Sequence, residues 1–544
     1  MPAESQSPLA PLRHPSFRLI WTATLVSNLG SLIQGVGASW KMAELTPSEA
    51  MVALVQASTT LPIMVLAVGA GAIADNFDRR LVMLAAQCFM FVISVGLALA
   101  AFFDLLGPWS LLSFTFLLGL GSAMHLPSWQ ASMRDLVPRE DLPAAVTLNS
   151  MSFNLMRSVG PALGGVIVAS LGAAAAFGLN AISYLAVIHA LFRWQAPAEP
   201  RLLPAEKLGS AVWAGLRYVT LSPNLVRVMA RAFLFGIAAV ALMALLPLVV
   251  RDRLGGGATT FGVMLGIFGL GAIGGALASP PIRRAVSIET IVAGGFLAFA
   301  AGTAATGFAT SLVQALPGLV VAGAAWVLVL SHFNVSTQLA TPRWVVGRAL
   351  AIYQTMAFGG MAVGAWLWGW LAETADIPTA LFASAAVLLA GALAGLIWPM
   401  PNLNDVNLDP ANRFNAPALR LDLKARSGPI MVMIDWEIPP DRTEAFLALM
   451  AERRRFRRRD GARQWVLLRD LENPDIWVES YHAATWVEYL RHNQRRTASD
   501  AGNWDRLMEL HRGPERPRVH RMIERQTVPL LDDLPLIEKE PQIP

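Results

Sequence analysis

The chain has 544 residues, of which 54% are hydrophobic and 15% are charged, and its mean hydropathy is +0.48. This composition excludes an ordinary soluble protein and indicates a membrane protein. Residues 1–400 carry 20 basic and 15 acidic side chains, whereas the rest of the chain carries 23 of each. A bilayer-embedded part is therefore followed by a neutral soluble part, and the net charge of +5 does not indicate nucleic-acid binding. The single cysteine, Cys88, excludes a disulfide framework and a cysteine zinc site.

The N-terminal tail, residues 1–13, is polar and rich in proline, and it does not resemble a cleavable signal peptide. Twelve apolar runs follow it, and each is close to the length of about 20 residues that a helix needs to cross a bilayer. We therefore predict an all-α membrane protein with twelve transmembrane helices. The predicted spans cover residues 17–40, 49–74, 81–103, 109–126, 146–170, 173–193, 228–250, 260–281, 287–310, 313–333, 348–371 and 378–399.

The orientation follows from the basic residues between the spans. An even number of spans places both termini on one side of the membrane. Alternate loops are rich in arginine, for example at Arg79–Arg80 and Arg283–Arg284, whereas the other loops hold Lys41, Arg251 and Arg253. Because cytoplasmic loops are enriched in basic residues, we predict that both termini are cytoplasmic and that the protein lies in the cell inner (plasma) membrane.

An internal repeat divides the spans into two groups of six. The segment Gly71–Arg80, GAIADNFDRR, aligns with Gly275–Arg284, GALASPPIRR, at an offset of 204 residues. The same offset relates Pro138–Arg139 to Pro342–Arg343. These matches predict a duplicated six-helix unit whose copies are related along the membrane normal.

The loop between the second and third predicted spans carries a charged motif made of Gly71, Asp75, Arg79 and Arg80. A glycine lets a second helix approach closely, and an acid followed by basic residues makes a breakable charge network at a helix end. This motif resembles the loop signature of the major facilitator superfamily, although Asp78 stands where that family usually has a second glycine. The resemblance implies a conformational latch that joins the two halves on the cytoplasmic side.

The fifth predicted span contains Gly160, Pro161, Gly164 and Gly165, a patch of small residues with a helix-bending proline. It resembles the GPxxGG motif of the exporter (antiporter) branch of the superfamily, but Met156 replaces a glycine that the longer motif contains. The resemblance implies efflux rather than uptake. Ordinary close helix packing is the alternative interpretation.

Several longer segments narrow the resemblance. PSFRLIW, SNLG, LVPRED and NLMRSVGPALGG are similar to the bacterial transmembrane secretion effector and enterobactin exporter-like branch. This similarity covers residues 14 to about 400, and we expect it to include the C-terminal domain also. It implies an alternating-access exporter of small amphiphilic molecules, siderophores or drug-like compounds, that works by secondary active, proton-coupled antiport.

Polar side chains within the apolar spans are candidates for substrate binding. Arg157 lies near the middle of the fifth predicted span, where an unpaired charge costs several kcal/mol unless it faces a cavity or a partner. A structural arginine that binds helix-end carbonyls is the alternative. The first half has no acidic residue at a similar depth in its predicted spans, so the proton carrier is not identified. The candidate substrate-binding residues are Asn28, Gln34, Arg157, His332, Asn334 and Gln338.

The C-terminal region changes to short alternating segments. Four strand patterns and two helical stretches, 441–459 and 485–511, predict the order βαββαβ of a ferredoxin-like α+β domain. It resembles dimeric α+β barrel domains, which include small monooxygenases, and His492 lies where such domains often carry a histidine. Because no catalytic constellation accompanies it, we expect a scaffold or a homodimer contact, with no enzyme activity, cofactor or metal. A membrane-anchored monooxygenase and a substrate-sensing receptor remain alternatives.

The run Arg453 to Arg459 is the most basic segment of the chain. We expect either a solvated helix face or contact with anionic lipid headgroups, and no nucleic-acid partner. The complete prediction comprises a tail at 1–13, six-helix halves at 14–195 and 228–400 joined by a cytoplasmic loop at 196–227, a linker at 401–427, the α+β domain at 428–526 and a disordered tail at 527–544.

Overall fold

The computed structural model describes most of the chain, and the chain divides into two compact units. The described residues are 10–138, 141–194, 208–342, 344–401 and 407–524, without 409–410, 412, 415–416, 422, 425 and 514–515. The first unit consists of residues 1–212, 227–337 and 350–402, and the second consists of residues 213–226, 338–349 and 403–544.

The first five helices form the N-terminal part of the first unit. They are α1 (Pro15–Leu45), α2 (Glu49–Asn76), α3 (Arg79–Phe102), α4 (Pro108–Leu136) and α5 (Leu142–Arg193). Their starts carry ordinary helix-start signals. The Ser48 side chain accepts from the Met51 amide to cap α2, and the Asp78 side chain accepts from the Arg80 amide to cap α3. Asp78, which departs from the family pattern, therefore begins the third helix.

Helix α5 is 52 residues long and contains two predicted spans. Gly172 interrupts it with a φ of +81°, a conformation that glycine adopts without the steric cost of a Cβ. The interruption falls between the predicted spans 146–170 and 173–193. With α5 counted once, 11 helices in the described part of the chain are long and apolar enough to cross a membrane.

The C-terminal part of the first unit contains a second set of apolar helices, preceded by a short helix, α6 (Leu208–Thr220). The loop predicted at 196–227 therefore contains a helix, and α7 starts before the predicted position of 228. Hydropathy did not indicate α6 because it is too short to span a membrane. The remaining helices are α7 (Pro223–Leu248), α8 (Ala258–Ala285), α9 (Ile288–Phe308), α10 (Leu312–Leu339), α11 (Val346–Thr374) and α12 (Ile377–Ile397).

An aromatic cluster fills the centre of these C-terminal helices. Phe235 of α7 packs against Phe296 and Phe299 of α9 with ring centroids 5.0 and 5.6 Å apart. Trp326 of α10 lies 6.0 Å from the ring of Phe299. Aromatic contacts of this kind add to the stabilisation from burial, so the cluster holds three helices together.

The second unit contains a small α+β domain. Its elements are β1 (Ile430–Glu437), α13 (Thr443–Asp460), β2 (Arg463–Arg469), β3 (Ile476–Ala483), α14 (Trp486–Gln494), α15 (Ala498–Leu510) and β4 (Arg518–Ile523). The strands form an antiparallel sheet in the order β2-β3-β1-β4. The single helix predicted at 485–511 is two helices, because Thr497 and Asp500 form a capping box that starts α15.

Two segments that flank spans belong to the same unit as this domain. Tyr218 of α6 and Trp344 stack edge to face, with ring centroids 5.6 Å apart. The Arg459 guanidinium lies 4.9 Å from the Tyr218 ring, and the Arg495 guanidinium lies 4.1 Å from the Trp344 ring. The Arg217 Nε donates to the Arg459 carbonyl at 3.3 Å. Two arginines of the domain thus enclose an aromatic pair from the chain around the spans.

Candidate functional site

The loop-signature arginines bind other helices of the N-terminal half. Arg79 Nη1 donates to Asp135 Oδ2 of α4 at 2.9 Å. Arg80 Nε donates to the Leu191 carbonyl at 2.8 Å, at the end of α5, where a cation complements the exposed carbonyls of a helix C-terminus. These contacts join α3 to the neighbouring ends of α4 and α5.

The other two residues of the predicted latch end the second helix. Gly71 and Asp75 lie in the last turns of α2, but the contacts of Gly71 and the side chain of Asp75 are outside the described part of the structure. A further side-chain hydrogen bond lies in this half, where His14 Nε2 and Asp141 Oδ2 are 2.7 Å apart. The contacts described for the signature arginines are therefore within one half, and the predicted contact with the other half stays a prediction.

The GPxxGG glycines pack against two different helices. A Cβ placed on Gly164 would lie 3.1 Å from the Ile33 Cα, so this glycine lets α5 approach α1 in the same half. A Cβ on Gly165 would lie 2.6 Å from the Gly262 Cα of α8. The backbones of α5 and α8 therefore cross in direct contact, and Gly165 forms part of the contact between the halves. Gly160 faces Leu32 of α1, and Pro161 lies within the α5 helix.

Further contacts join the halves at the same ends of their helices. The rings of Trp40 in α1 and Phe261 in α8 lie 6.1 Å apart. Ser48 Oγ donates to Glu373 Oε1 of α11 at 3.2 Å. The Arg251 guanidinium donates to the carbonyls of Ala43 and, at 3.3 Å, Thr46.

We call Trp40, Ser48, Arg251, Phe261 and Glu373 the distal gate. They lie near the loops at 46–48, 254–257 and 375–376, whereas the loop signature lies at the opposite end of α2. The sequence indicates Arg251 only as a loop cation, and it indicates none of the other four. Each contact joins residues more than 200 positions apart, so no local pattern indicates it. The sequence signal that does point to this interface is Gly165.

Gln34, predicted to contact substrate, is engaged within the N-terminal half. Its Oε1 accepts from the Asn180 amide and, at 3.4 Å, from the Ser94 hydroxyl. The Asn180 amide also donates to the Tyr184 hydroxyl at 3.1 Å. This buried network joins α1, α3 and α5, and fully bonded polar networks of this kind fix helices relative to one another. Asn28, on the same helix as Gln34, is half-buried.

His332 is the candidate on α10 with a defined tautomer. Its side chain is 4% exposed, and its Nδ1 lies 2.7 Å from the Leu328 carbonyl. A carbonyl oxygen is a hydrogen-bond acceptor and never a donor, so Nδ1 carries the hydrogen. The Nε2 atom is buried, with no hydrogen-bond partner among the described residues. Nε2 is therefore the atom of His332 that can bind a ligand.

The remaining candidates are distributed along the chain. Asn334 is half-buried on α10, and Gln338 is exposed and belongs to the second unit. Arg157 lies in α5, with its side chain outside the described residues. The structure therefore does not bring the six candidates together as one described cluster.

A charge pair with a buried arginine, which is not among the candidates from the sequence, lies in the C-terminal half. Arg231 of α7 is 3% exposed, and its guanidinium binds Glu289 in the first turn of α9. Glu289 Oε2 also accepts from the Met400 amide at 2.6 Å. The pair joins α7, α9 and the segment after α12. An arginine inside an apolar span is the signal that could have found it.

The arginine run of the α+β domain is divided between core and surface. Glu479 is fully buried and accepts from Arg453 Nε at 2.7 Å and from Arg457 Nε at 3.1 Å. Burial alone would raise the pKa of Glu479, but the two guanidinium groups lower that pKa to about 2. The prediction of a continuous solvent- or lipid-facing run is therefore wrong for Arg453 and Arg457, because helical periodicity turns both toward the sheet.

His492 is enclosed with the same arginine cluster. Its Nε2 lies 3.0 Å from Arg457 Nη1. Because a guanidinium nitrogen is always a donor, Nε2 accepts this hydrogen bond. Burial and the nearby Arg457 and Arg496 hold the pKa of His492 well below its ordinary value, so the imidazole is neutral. Among the described residues, no group of three or more His, Cys, Asp and Glu side chains could hold a metal ion.

Solved structures with the same arrangement of helices are membrane transporters. A POT family transporter in complex with 5-aminolevulinic acid aligns with a TM-score of 0.58 at 12% identity, over 71% of this chain and 96% of that one. The nucleoside transporter NupG aligns with a TM-score of 0.55 at 14% identity, over 70% and 98%. At this identity the likeness defines the fold, which is that of a major facilitator-type transporter.

The family is narrower than the fold. A model of the transmembrane secretion effector family matches residues 6–527, and the chain belongs to that family. The enterobactin exporter EntS of Citrobacter koseri is 26% identical over 400 residues, which are 71% of this chain and 92% of that protein. The staphyloferrin A transporter of Staphylococcus aureus (strain NCTC 8325 / PS 47) is 28% identical over 172 residues, 31% of this chain but 43% of its own length.

The predicted family is thereby confirmed. The protein is a multi-pass membrane exporter of the major facilitator type, and it is a transporter rather than an enzyme.

Proposed function

We propose that the protein exports small amphiphilic molecules, of the siderophore class or similar to drugs, across the inner membrane by alternating access coupled to proton entry. The observation that carries this proposal is the contact between the halves at one end of the helices, through Gly165, Gly262 and the distal gate. Alternating access requires such a contact at one end at a time. Two relatives named for siderophore transport favour the siderophore class.

The orientation and the number of spans form part of the proposal. We assign twelve spans, in halves at 14–195 and 228–400, because Gly172 divides α5 into two segments of membrane-crossing length. Both termini are cytoplasmic, as the basic loops favour. With this orientation the distal gate is external, and the conformation is the one that loads substrate from the cytoplasm.

The proposed substrate site lies between the halves, with Asn28, Arg157, His332 and Asn334 as its binding residues. His332 Nε2 supplies a buried hydrogen-bonding atom, and the guanidinium of Arg157 offers paired donors to an anionic group. Gln338, in the last turn of α10, stays a candidate from the sequence alone. Because its oxygen already accepts two hydrogen bonds, we assign Gln34 a role in holding α1 in place.

The latch residues Gly71, Asp75, Arg79 and Arg80 control opening at the cytoplasmic end in this proposal. Arg79 is bound to Asp135 in the present conformation, and this pair is the contact that would be exchanged when the cytoplasmic ends close. Conformational couplings of this kind amount to about 1–3 kcal/mol. A partly exposed charge pair contributes roughly 0.2–1 kcal/mol of that.

We assign the α+β domain a ferredoxin-like fold and an accessory role, as a scaffold or as the contact of a homodimer. Its antiparallel strand order supports that fold. The monooxygenase alternative is less favoured because the transporter family covers the domain as well as the spans. A receptor would bind ligand without flux, which the following experiment distinguishes.

The test is export of catecholate siderophores, macrolides and cationic dyes from cells with and without the protein. We expect faster export of at least the anionic catecholates, and loss of export when an uncoupler removes the proton gradient. Arg157→Lys keeps the charge but loses the paired donors, so it should weaken export of anions more than export of cationic dyes. Unchanged efflux of every compound, with the protein verified in the membrane, would contradict the proposal.

A further inference from the structure

An open groove of about 450 Å³ lies in the second unit between α13, β2 and the turn that follows α6. Part of its lining is apolar and includes Leu221, Leu447 and Trp465. Leu221 and Leu447 are 37% and 43% exposed, so the groove presents apolar surface to its surroundings. A concave groove of this volume with apolar lining can hold the apolar part of a ligand.

The other part of the lining is cationic. Arg454, Arg455 and Arg458 lie on the outer side of α13, and all three are exposed. Their neighbours in the run are engaged elsewhere, since Arg453 and Arg457 bind Glu479. Within the described part of the structure, the residues that line the groove include no acid, and the three outer arginines form no ion pair. The groove therefore combines apolar surface with three positive charges.

The position of the groove in the chain indicates the membrane surface. Leu221 lies two residues before Pro223, where α7 begins, and α7 is one of the apolar spans. The helix before it, α6, buries Tyr218 but leaves Trp213 64% exposed and Leu216 39% exposed. Tryptophan and leucine on the exposed face of a short helix next to a span favour the interface between headgroups and acyl chains.

We propose that this groove binds an anionic phospholipid. The phosphate lies among Arg454, Arg455 and Arg458, and the glycerol and upper acyl region pack on Leu221 and Leu447. A soluble anion would satisfy the arginines but would leave the apolar lining exposed to water, so a lipid fits both parts of the groove. This site goes beyond the export function, because it does not depend on which substrate is carried.

Binding of the lipid would have a structural consequence. Arg459, on the same helix as the cationic lining, packs on Tyr218 of α6 and binds Asp500 at 2.7 Å. A lipid in the groove contacts α13 and the residue that precedes α7 at the same time. The composition of the membrane would thus set how firmly the α+β domain is held to the start of that span.

The test uses the detergent-solubilised full-length protein, titrated with phosphatidylglycerol or phosphatidylcholine while bound lipids are counted by native mass spectrometry. We expect a phosphatidylglycerol site that phosphatidylcholine does not fill. The triple variant Arg454→Gln/Arg455→Gln/Arg458→Gln should weaken it about a hundredfold, because each basic residue near an anionic surface contributes about a factor of 5. Leu447→Asn, which removes apolar lining and no charge, should weaken it as well.

The matched control removes three exposed arginines elsewhere in the second unit, Arg420→Gln/Arg426→Gln/Arg518→Gln, and should retain the site. An equal loss of phosphatidylglycerol affinity in the control would show that only the net charge of the protein matters, and it would overturn the proposal. Equal affinity of the wild type and the groove variant for phosphatidylglycerol would overturn it too. The remaining probe is inorganic phosphate. If phosphate binds, and if the triple arginine variant abolishes this binding while Leu447→Asn retains it, the groove is a site for a soluble anion instead of a lipid.

Discussion

Glu479 holds two arginines inside the α+β domain. Its carboxylate accepts from Arg453 and Arg457, and Trp465 Nε1 donates to it at 3.1 Å. Buried charges are tolerated when they are paired and hydrogen-bonded, and the loss of one partner leaves an uncompensated charge. The run Arg453 to Arg459 could be recognised from sequence, but its division between core and surface could not, because the acid that selects the inward arginines lies on a different element.

Replacement of this acid by its amide should destabilise the domain. In Glu479→Gln the two guanidinium groups lose their counter-charge, which costs about 3–5 kcal/mol. The measurement is hydrogen exchange in β1 and β3 of the full-length protein. The matched control, Glu472→Gln, makes the same chemical change at an exposed position and should stay within about 0.5 kcal/mol. Equal protection in both variants would contradict the role assigned to Glu479.

The same carboxylate makes the domain sensitive to acid. The pKa of Glu479 is about 2 in the folded protein, against an ordinary value of 4.5. A lowered carboxyl pKa contributes stability above the ordinary value, and that stability is lost as the pH falls from 4.5 to about 2. The loss should be roughly 3 kcal/mol, at about 1.4 kcal/mol per pKa unit.

The measurement is hydrogen exchange in β3 across this window, corrected for the intrinsic pH dependence of exchange. Wild type should lose protection there, whereas Glu479→Gln, which has no carboxyl to protonate at this position, should lose little. Parallel loss in the two proteins would assign the acid sensitivity to other groups.

Hydropathy predicted the membrane-embedded parts of the helices but not the parts outside the bilayer. It located the apolar part of each span, because that part must match the hydrocarbon thickness. It did not locate helix ends outside the bilayer. The fourth span, predicted at 109–126, continues to Leu136, and the amphipathic α6 was missed altogether. The loop signature and the GPxxGG motif were recognisable, but the partners of their residues were not, since those contacts are made in the folded chain between distant segments.

The crossing of α5 and α8 should be sensitive to a single methyl group. A Cβ on Gly165 would approach the Gly262 Cα to 2.6 Å, so Gly165→Ala must push the two helices apart. We expect a shift away from the conformation with a closed distal gate, and slower export. Gly178→Ala is the matched control, because a Cβ at that position of α5 meets nothing within 4 Å.

Both variants would be compared for export and for labelling of a cysteine placed near the distal loops. Increased labelling in Gly165→Ala, with Gly178→Ala like the wild type, is the expected result. Full export and unchanged labelling in Gly165→Ala would mean that this crossing does not determine the conformational equilibrium.

The molecule consists of a two-halved transporter and a C-terminal α+β domain. Two arginines of this domain pack on Tyr218 and Trp344, which lie in segments next to the spans. The distal gate and the crossing of Gly165 with Gly262 join the halves at the distal ends, and Gly359 of α11 lies against Met64 near the middle of α2. The described ion pairs at the other end, such as Arg79–Asp135 and Arg231–Glu289, each lie within one half. This distribution is what an alternating-access transporter requires when it is closed on one side.

The most direct test of the account is a reversible lock on the distal gate. In a Cys88→Ser background, Ser48→Cys and Glu373→Cys would be joined by a short cleavable thiol cross-linker, since the native side chains meet at 3.2 Å. Ser58→Cys with Thr115→Cys, whose hydroxyls lie 2.6 Å apart within the N-terminal half, is the control pair. The account predicts that the gate cross-link stops export and that cleavage restores it, while the control cross-link leaves export unchanged. Undiminished export with the gate cross-link formed in most molecules would contradict it.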